Sequence, residues 1–154
     1  MARKRSSERL QTLLKLAAMK EDAAAKQLAV SSERLQQAKR QSEQLEQYER
    51  DYQQRYVDAG TQTVSRSFLM NYQGFFRQLE QARLQQGRAI EHREYEREQA
   101  RQRWVEEYAN RRLLTKVRER RLHTEALADE KKLQSQIDDR SSRRPGNGDG
   151  SGLK

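Results

Sequence analysis

The sequence predicts an all-α fold, two long helices paired as an antiparallel coiled-coil hairpin, and three observations carry that prediction. Charged residues make up 36% of the 154-residue chain and hydrophobic residues only 33%, against roughly 25% and 45–50% in an ordinary soluble domain. A compact core needs more apolar side chains than this, whereas paired helices bury one seam and solvate the rest. The single proline is Pro145, so nothing before it removes a helical N–H or clashes with a preceding turn. Apolar residues recur with heptad spacing through the first third of the chain, and Glu, Gln, Arg, Leu and Ala, all strong helix formers, fill the positions between.

After a basic arm at residues 1–6, the first helix is expected over 7–59, starting near Ser6 or Ser7. Its seam reads Leu10, Leu14, Ala17, Glu21, Ala24, Leu28, Ser31, Leu35, Ala38, Ser42, Leu45, Glu49, Tyr52, Tyr56, Ala59. Eleven of these fifteen positions are apolar or aromatic, a longer run than plain amphipathicity requires. The connection is expected at residues 60–65, with Gly60 free to take the left-handed conformation that ends a helix and Ser65 or Ser67 able to cap the next. So short a connection makes the helices antiparallel neighbours.

The second helix is expected over 66–139. It opens with Leu69, Tyr72, Phe76 and Leu79, reaches Ile90, and weakens between Arg93 and Arg103. It resumes in a shifted phase with Trp104, Val105, Tyr108, Leu113, Leu114 and Val117, and continues loosely through Leu122, Leu127, Leu133 and Ile137. A stutter or bend is expected at the weak stretch. Gly74 and Gly87 mark either a close backbone approach or nothing. A turn centred near residue 63 sets Leu10 across from about Val117, with everything beyond overhanging the first helix. Residues 140–154 read as a flexible, glycine-rich tail.

Several kinds of chemistry are missing. There is no cysteine, no glycine-rich phosphate loop and no run of apolar residues long enough to span a membrane. His92 and His123 stand apart from any set of metal-ligand spacing. The carboxylates alternate with Arg and Lys, as solvated helix faces do. No enzyme, no cofactor and a cytoplasmic location are therefore expected.

Two features rise above this background. The net charge of +9 is uneven: residues 1–9 net +3, 111–144 net +5 and the long middle, 10–110, only +1. In a hairpin both basic segments fall at the open end, which suits an acidic partner surface, although charge clustering also serves solubility. The second feature is a stripe of apolar and aromatic residues. Gln41, Leu45, Tyr48 and Tyr52 follow i, i+4, i+7, i+11, and Phe75, Leu79, Ala82 and Gln86 repeat that spacing. Paired antiparallel, 41 with 86, 45 with 82, 48 with 79 and 52 with 75, each sum is 127. Tyr48 flanks the seam where a two-helix coil usually carries charge, so the stripe reads either as an interface or as a widened seam.

At these residues the chain resembles a known family. Asn71-Tyr72-Gln73-Gly74-Phe75-Phe76-Arg77-Gln78-Leu79-Glu80-Gln81-Ala82 resembles the central motif of FliJ, the flagellar type III export protein. The stretch from Leu10 to Leu28, Gln44 to Tyr48 with Tyr52, and Ala100 to Trp104 are similar to that family as well. The likeness spans about residues 7–135. Gln86, where a histidine is expected, and Gly74, where a second glutamine is, depart from it. The resemblance implies a hairpin similar to the central stalk subunit of rotary ATPases, peripheral to the membrane at the flagellar base through its partners. It implies that the basic end, Arg3, Lys4, Arg5, Arg9, Arg111, Arg112, Lys116, Arg118, Arg120 and Arg121, enters the export ATPase hexamer. It implies that Gln41, Leu45, Tyr48, Tyr52, Phe75, Leu79 and Ala82 contact the cytoplasmic domain of the export gate, and that the protein escorts export chaperones.

Other readings stay open from the residues alone: the equivalent stalk of a virulence-type system, a basic coiled-coil arm on nucleic acid, a basic amphipathic helix near 111–137, or a homodimer through the stripe. Against nucleic acid, the stripe's aromatics sit away from the basic segments, where base stacking would need them.

Overall fold

The computed structural model describes residues 5–60 and 65–144. They form two helices, α1 over Ser6–Ala59 and α2 over Arg66–Arg143, with no strand among the described residues. The helices pack antiparallel as a hairpin: Tyr52 meets Phe75, Ala38 meets Gln86 and Ser32 meets Arg97, one number falling as the other rises.

The α1 seam follows the heptad reading closely. Ala17, Ala24, Leu35 and Ala38 are buried, and the other expected seam positions are half-buried except Tyr56, which is exposed. The entry to α2 follows the capping expectation, because Ser65 Oγ accepts the Phe68 N–H at 3.2 Å, satisfying one of the amides a helix start leaves unpaired. Gly60 departs from expectation. No described glycine has positive φ, and the Gly60 N–H donates to the Tyr56 carbonyl at 2.9 Å, so α1 ends in ordinary helical hydrogen bonding rather than a left-handed cap. Residues 61–64 of the expected turn, and most of the expected tail, lie outside the described residues.

The α2 seam departs from expectation in places. Buried and half-buried positions include Tyr72, Phe76, Leu79, Ala82, Gln86, Ile90, Arg93, Glu96, Ala100, Trp104, Glu107, Arg111, Leu114 and Arg118, with Phe75, Tyr108, Thr115 and Val117 beside them. The steps do not alternate strictly: Glu96, Ala100 and Trp104 follow one another by two fours, a stutter within the stretch where one was expected. Polar residues with long aliphatic stems occupy much of the seam, while Val105 and Leu113 point outward. Leu122, Leu127, Leu133 and Ile137 do not continue the seam; each is 41% or more exposed. Gly74 and Gly87 mark no close approach, since a Cβ at either would meet nothing within 4 Å.

The chain divides into two compact units, Met19–Ala109 and Met1–Ala18 with Asn110–Lys154.

Candidate partner-binding surfaces

In the Met19–Ala109 unit the stripe is built from rings. Tyr52 stacks on Phe75 with centroids 3.9 Å apart, and the central Tyr72 touches Tyr56 at 4.2 Å, Phe76 at 4.7 Å and Tyr52 at 5.5 Å. Tyr72 is 8% exposed. Its hydroxyl donates to the Tyr52 carbonyl at 3.1 Å, so the phenol enters the seam without losing a hydrogen-bond partner. Burial, with Tyr56 and Tyr52 nearby, pushes its pKa above the ordinary 10.0, and the group stays neutral.

The seven expected gate-contact residues divide by exposure. Leu79 is buried, and Leu45, Tyr52, Phe75 and Ala82 are half-buried, all in the seam. Gln41 is exposed, and Tyr48 is the large side chain that projects, 65% exposed. The structure thus brings the stripe together, but most of it packs helix on helix, and Tyr48 is the ring it presents outward. Gln86, the departure from the family pattern, donates to the Ala38 carbonyl at 2.8 Å across the hairpin. Its role here is to tie α2 to α1.

Further along this unit, small side chains thin the seam. Ala24, Ser31 and Ala100 line an open groove of about 710 Å³, rimmed by charged and amide side chains rather than by converging reactive groups. Glu96 lies there, held below the usual carboxylate range chiefly by its hydrogen bond from Arg93. His92 reaches the same carboxylate at 3.0 Å. Among the described residues no cluster of His, Cys, Asp or Glu could hold a metal ion.

The other unit carries the basic segments. Its seam is polar at both ends. Ser7, 4% exposed, gives its backbone N–H to Glu125 Oε1 at 3.2 Å and its hydroxyl to Oε2 at 2.5 Å. Glu125 of α2 therefore caps the start of α1 from across the hairpin, accepting an amide that the helix itself leaves unpaired. The Ser7 hydroxyl is the largest influence holding that carboxyl below its ordinary value, and the Ser7 N–H and the Arg5 charge add to it. Arg5 pairs with Asp129 at 3.0 Å.

These contacts carry the pairing further than the expected meeting of Leu10 with Val117. Glu125 still reaches α1 at Ser7 and Asp129 reaches Arg5 just before it, and among the described residues no hydrogen bond or ion pair joins the two beyond them. Of the basic residues expected to meet a partner, Arg9, Arg112, Lys116, Arg120 and Arg121 are exposed. Arg111 and Arg118 are half-buried at seam positions, each with its Nε enclosed and without a hydrogen-bond acceptor, so their stems pack while the positive charge stays with the guanidinium. Arg3 and Lys4 lie outside the described residues. The Glu125–Ser7 cap escaped the sequence reading because nothing local to either residue signals a partner more than a hundred residues away.

Among the described residues, no helix is long and apolar enough to cross a membrane. The family described as Flagellar FliJ protein matches residues 6–150 of the chain. No curated protein and no solved structure matches it.

Proposed function

The chain belongs to the FliJ family, and so to flagellar type III protein export; from that premise we propose that it is a non-enzymatic stalk that links the export ATPase to the export gate. In this reading the basic unit docks in the ATPase hexamer through Arg3, Lys4, Arg5, Arg9, Arg111, Arg112, Lys116, Arg118, Arg120 and Arg121. The stripe of Gln41, Leu45, Tyr48, Tyr52, Phe75, Leu79 and Ala82 meets the cytoplasmic domain of the gate. The protein escorts export chaperones to the same apparatus, works on the cytoplasmic side and approaches the membrane only through its partners.

The observation that supports this best is the exposure of Tyr48. It projects 65% exposed beside a seam whose other rings are engaged with each other, and an aromatic ring on a firm base is what a protein interface uses as an anchor.

The exposure pattern also decides how to test the reading. Phe75 stacks on Tyr52, so Phe75→Ala removes packing as well as any gate contact. Tyr48→Ala removes only the projecting ring. A pull-down of the purified chain against the gate domain and the ATPase, at low and high salt, should show Tyr48→Ala weakening the gate interaction about tenfold, the scale of a ~1.4 kcal/mol contact. ATPase binding and helicity should be unchanged. Gate binding that ignores Tyr48→Ala would remove the stripe from the gate interface. Binding to neither partner would remove the stalk reading.

A further inference from the structure

Residues 126–144 are all exposed, and among the described residues no hydrogen bond or ion pair joins α2 to the start of the chain beyond Asp129. Yet this stretch is not featureless. Leu133 and Ile137 are 59% and 49% exposed, and they belong to a heptad series, Ala126, Glu130, Leu133, Ile137, Arg140, Arg144, whose steps alternate four and three. A heptad seam of this kind is a surface for another helix, and among the described residues Leu133 and Ile137 are left exposed on it.

The sequence itself indicates the occupant. Residues 130–140 read Glu-Lys-Lys-Leu-Gln-Ser-Gln-Ile-Asp-Asp-Arg. Folded about Ser135, the stretch mirrors itself with every charge inverted. Glu130 answers Arg140, Lys131 answers Asp139, Lys132 answers Asp138, Leu133 answers Ile137, and Gln134 answers Gln136. Each pair sums to 270. In an antiparallel pair of identical helices, seam layers are formed by residues with a constant sum. Two such helices crossing at Ser135 therefore set Leu133 on the partner's Ile137 twice, and close each end of that apolar centre with a Glu130–Arg140 pair. A parallel pair would set Glu130 on Glu130 and Arg140 on Arg140, which like-charge repulsion disfavours. Among the described residues, neither Glu130 nor Arg140 is engaged in an ion pair or hydrogen bond within the chain.

We infer that the end of α2 beyond Asp129, residues 130–143, is a self-association surface whose partner is the same stretch, antiparallel, of a second copy of this chain. The contact is short. Two helices meeting over this length bury on the order of 1,000 Å² in total, the low end for a specific interface, so the dimer is weak and reversible and forms as concentration rises. The inference rests on no part of the export reading, and needs neither the ATPase nor the gate.

Sedimentation equilibrium of the full chain, from low micromolar to near-millimolar, tests it. The average mass should climb from 18.2 kDa toward twice that value. Glu130→Arg alone and Arg140→Glu alone each set like charges against each other at both ends of the apolar centre, and each should push association to at least tenfold higher concentration. An equimolar mixture of the two single variants restores opposite charges, as does the double variant Glu130→Arg/Arg140→Glu, and both should dimerise as the unaltered chain does. Because these positions are exposed, circular dichroism should show unchanged helix content throughout. The chain has no cysteine, so a single Gln136→Cys gives a clean report of geometry: residue 136 meets its own copy near the dyad and should form a disulfide dimer, while Met70→Cys should not. A chain that stays monomeric at every concentration overturns the inference. So does a dimer indifferent to the single charge changes, or one that the mixture fails to restore.

Discussion

The two units of this chain hold their helices together by different means. In the Met19–Ala109 unit the grip near the turn is aromatic: Tyr52, Tyr56, Tyr72, Phe75 and Phe76 form one connected set of rings. In the other unit the apolar seam of Leu10, Leu14, Ala17, Leu114 and Val117 is joined by polar contacts. Ser7 is capped by Glu125, Arg5 is paired with Asp129, and Arg111 and Arg118 lie along the seam. Rings contribute through buried area, which neither salt nor pH alters much. A carboxylate cap contributes only while it is charged and its partner is in place. One unit should therefore respond to truncation of side chains and the other to solution conditions.

The largest effect expected is at Tyr72, which is nearly buried and touches several rings. Tyr72→Ala removes those contacts and the hydrogen bond to the Tyr52 carbonyl, and should cost about 3 kcal/mol, the lower range for truncating a buried aromatic. Chemical unfolding of the purified variant measures it. A loss under about 0.5 kcal/mol, the scale of an ordinary surface change, would mean that the rings do not grip the hairpin and that the contrast between the units is false.

Smaller, and of opposite sign, is the effect of filling the glycines. Gly74 and Gly87 lie inside α2 with open space where a Cβ would stand. Each Gly→Ala change should add about 1 kcal/mol, by the difference in helix propensity. The thermal midpoint should rise for each singly, and additively for the pair, which lie too far apart along the helix to share a neighbour. A fall at Gly74 would reveal a close approach there that the packing does not contain.

The contrast between the units also explains which parts of the molecule were legible in the sequence. Both helices, their antiparallel pairing and the α1 seam follow from proline placement and the heptad series, because apolar periodicity is a local signal and the seam is where it must point. The stripe's pairing sum of 127 recurs in the stacked Tyr52 and Phe75, since bulky rings fix their own register. Beyond Arg93 the same reasoning held only in part: Trp104, Tyr108, Leu114 and Val117 are half-buried as expected. Val105 and Leu113 look like seam residues and are exposed, whereas Glu107, Arg111 and Arg118 look like surface and sit inward. Heptad geometry fixed those positions, and long aliphatic stems tolerated them. The register at the start of α1 was illegible for a related reason: it depends on Glu125 meeting Ser7, a polar contact that no hydrophobic pattern announces. The exposure of Tyr48 followed from its place beside the seam, but which partner it meets is a matter of recognition that spacing does not encode.

The most local effect expected is at that cap. Hydrogen bonds from Ser7 hold the Glu125 carboxyl below its ordinary value of 4.5, and Arg5 assists while Asp129 opposes. A carboxyl with a depressed folded pKa lends stability that is complete above the unfolded value and disappears as pH falls through the folded one. The Ser7 N–H should therefore be protected from hydrogen exchange near neutral pH and lose that protection as the medium is acidified below about 4.5, after correction for the intrinsic exchange rate. Glu125→Ala should abolish the protection at every pH, fraying the first turn of α1 while the aromatic set near Tyr72 keeps its own. Equal protection of Ser7 in the variant and the unaltered chain would mean that α1 starts firmly without its cross-helix cap, and that the polar unit owes its pairing to something other than charge.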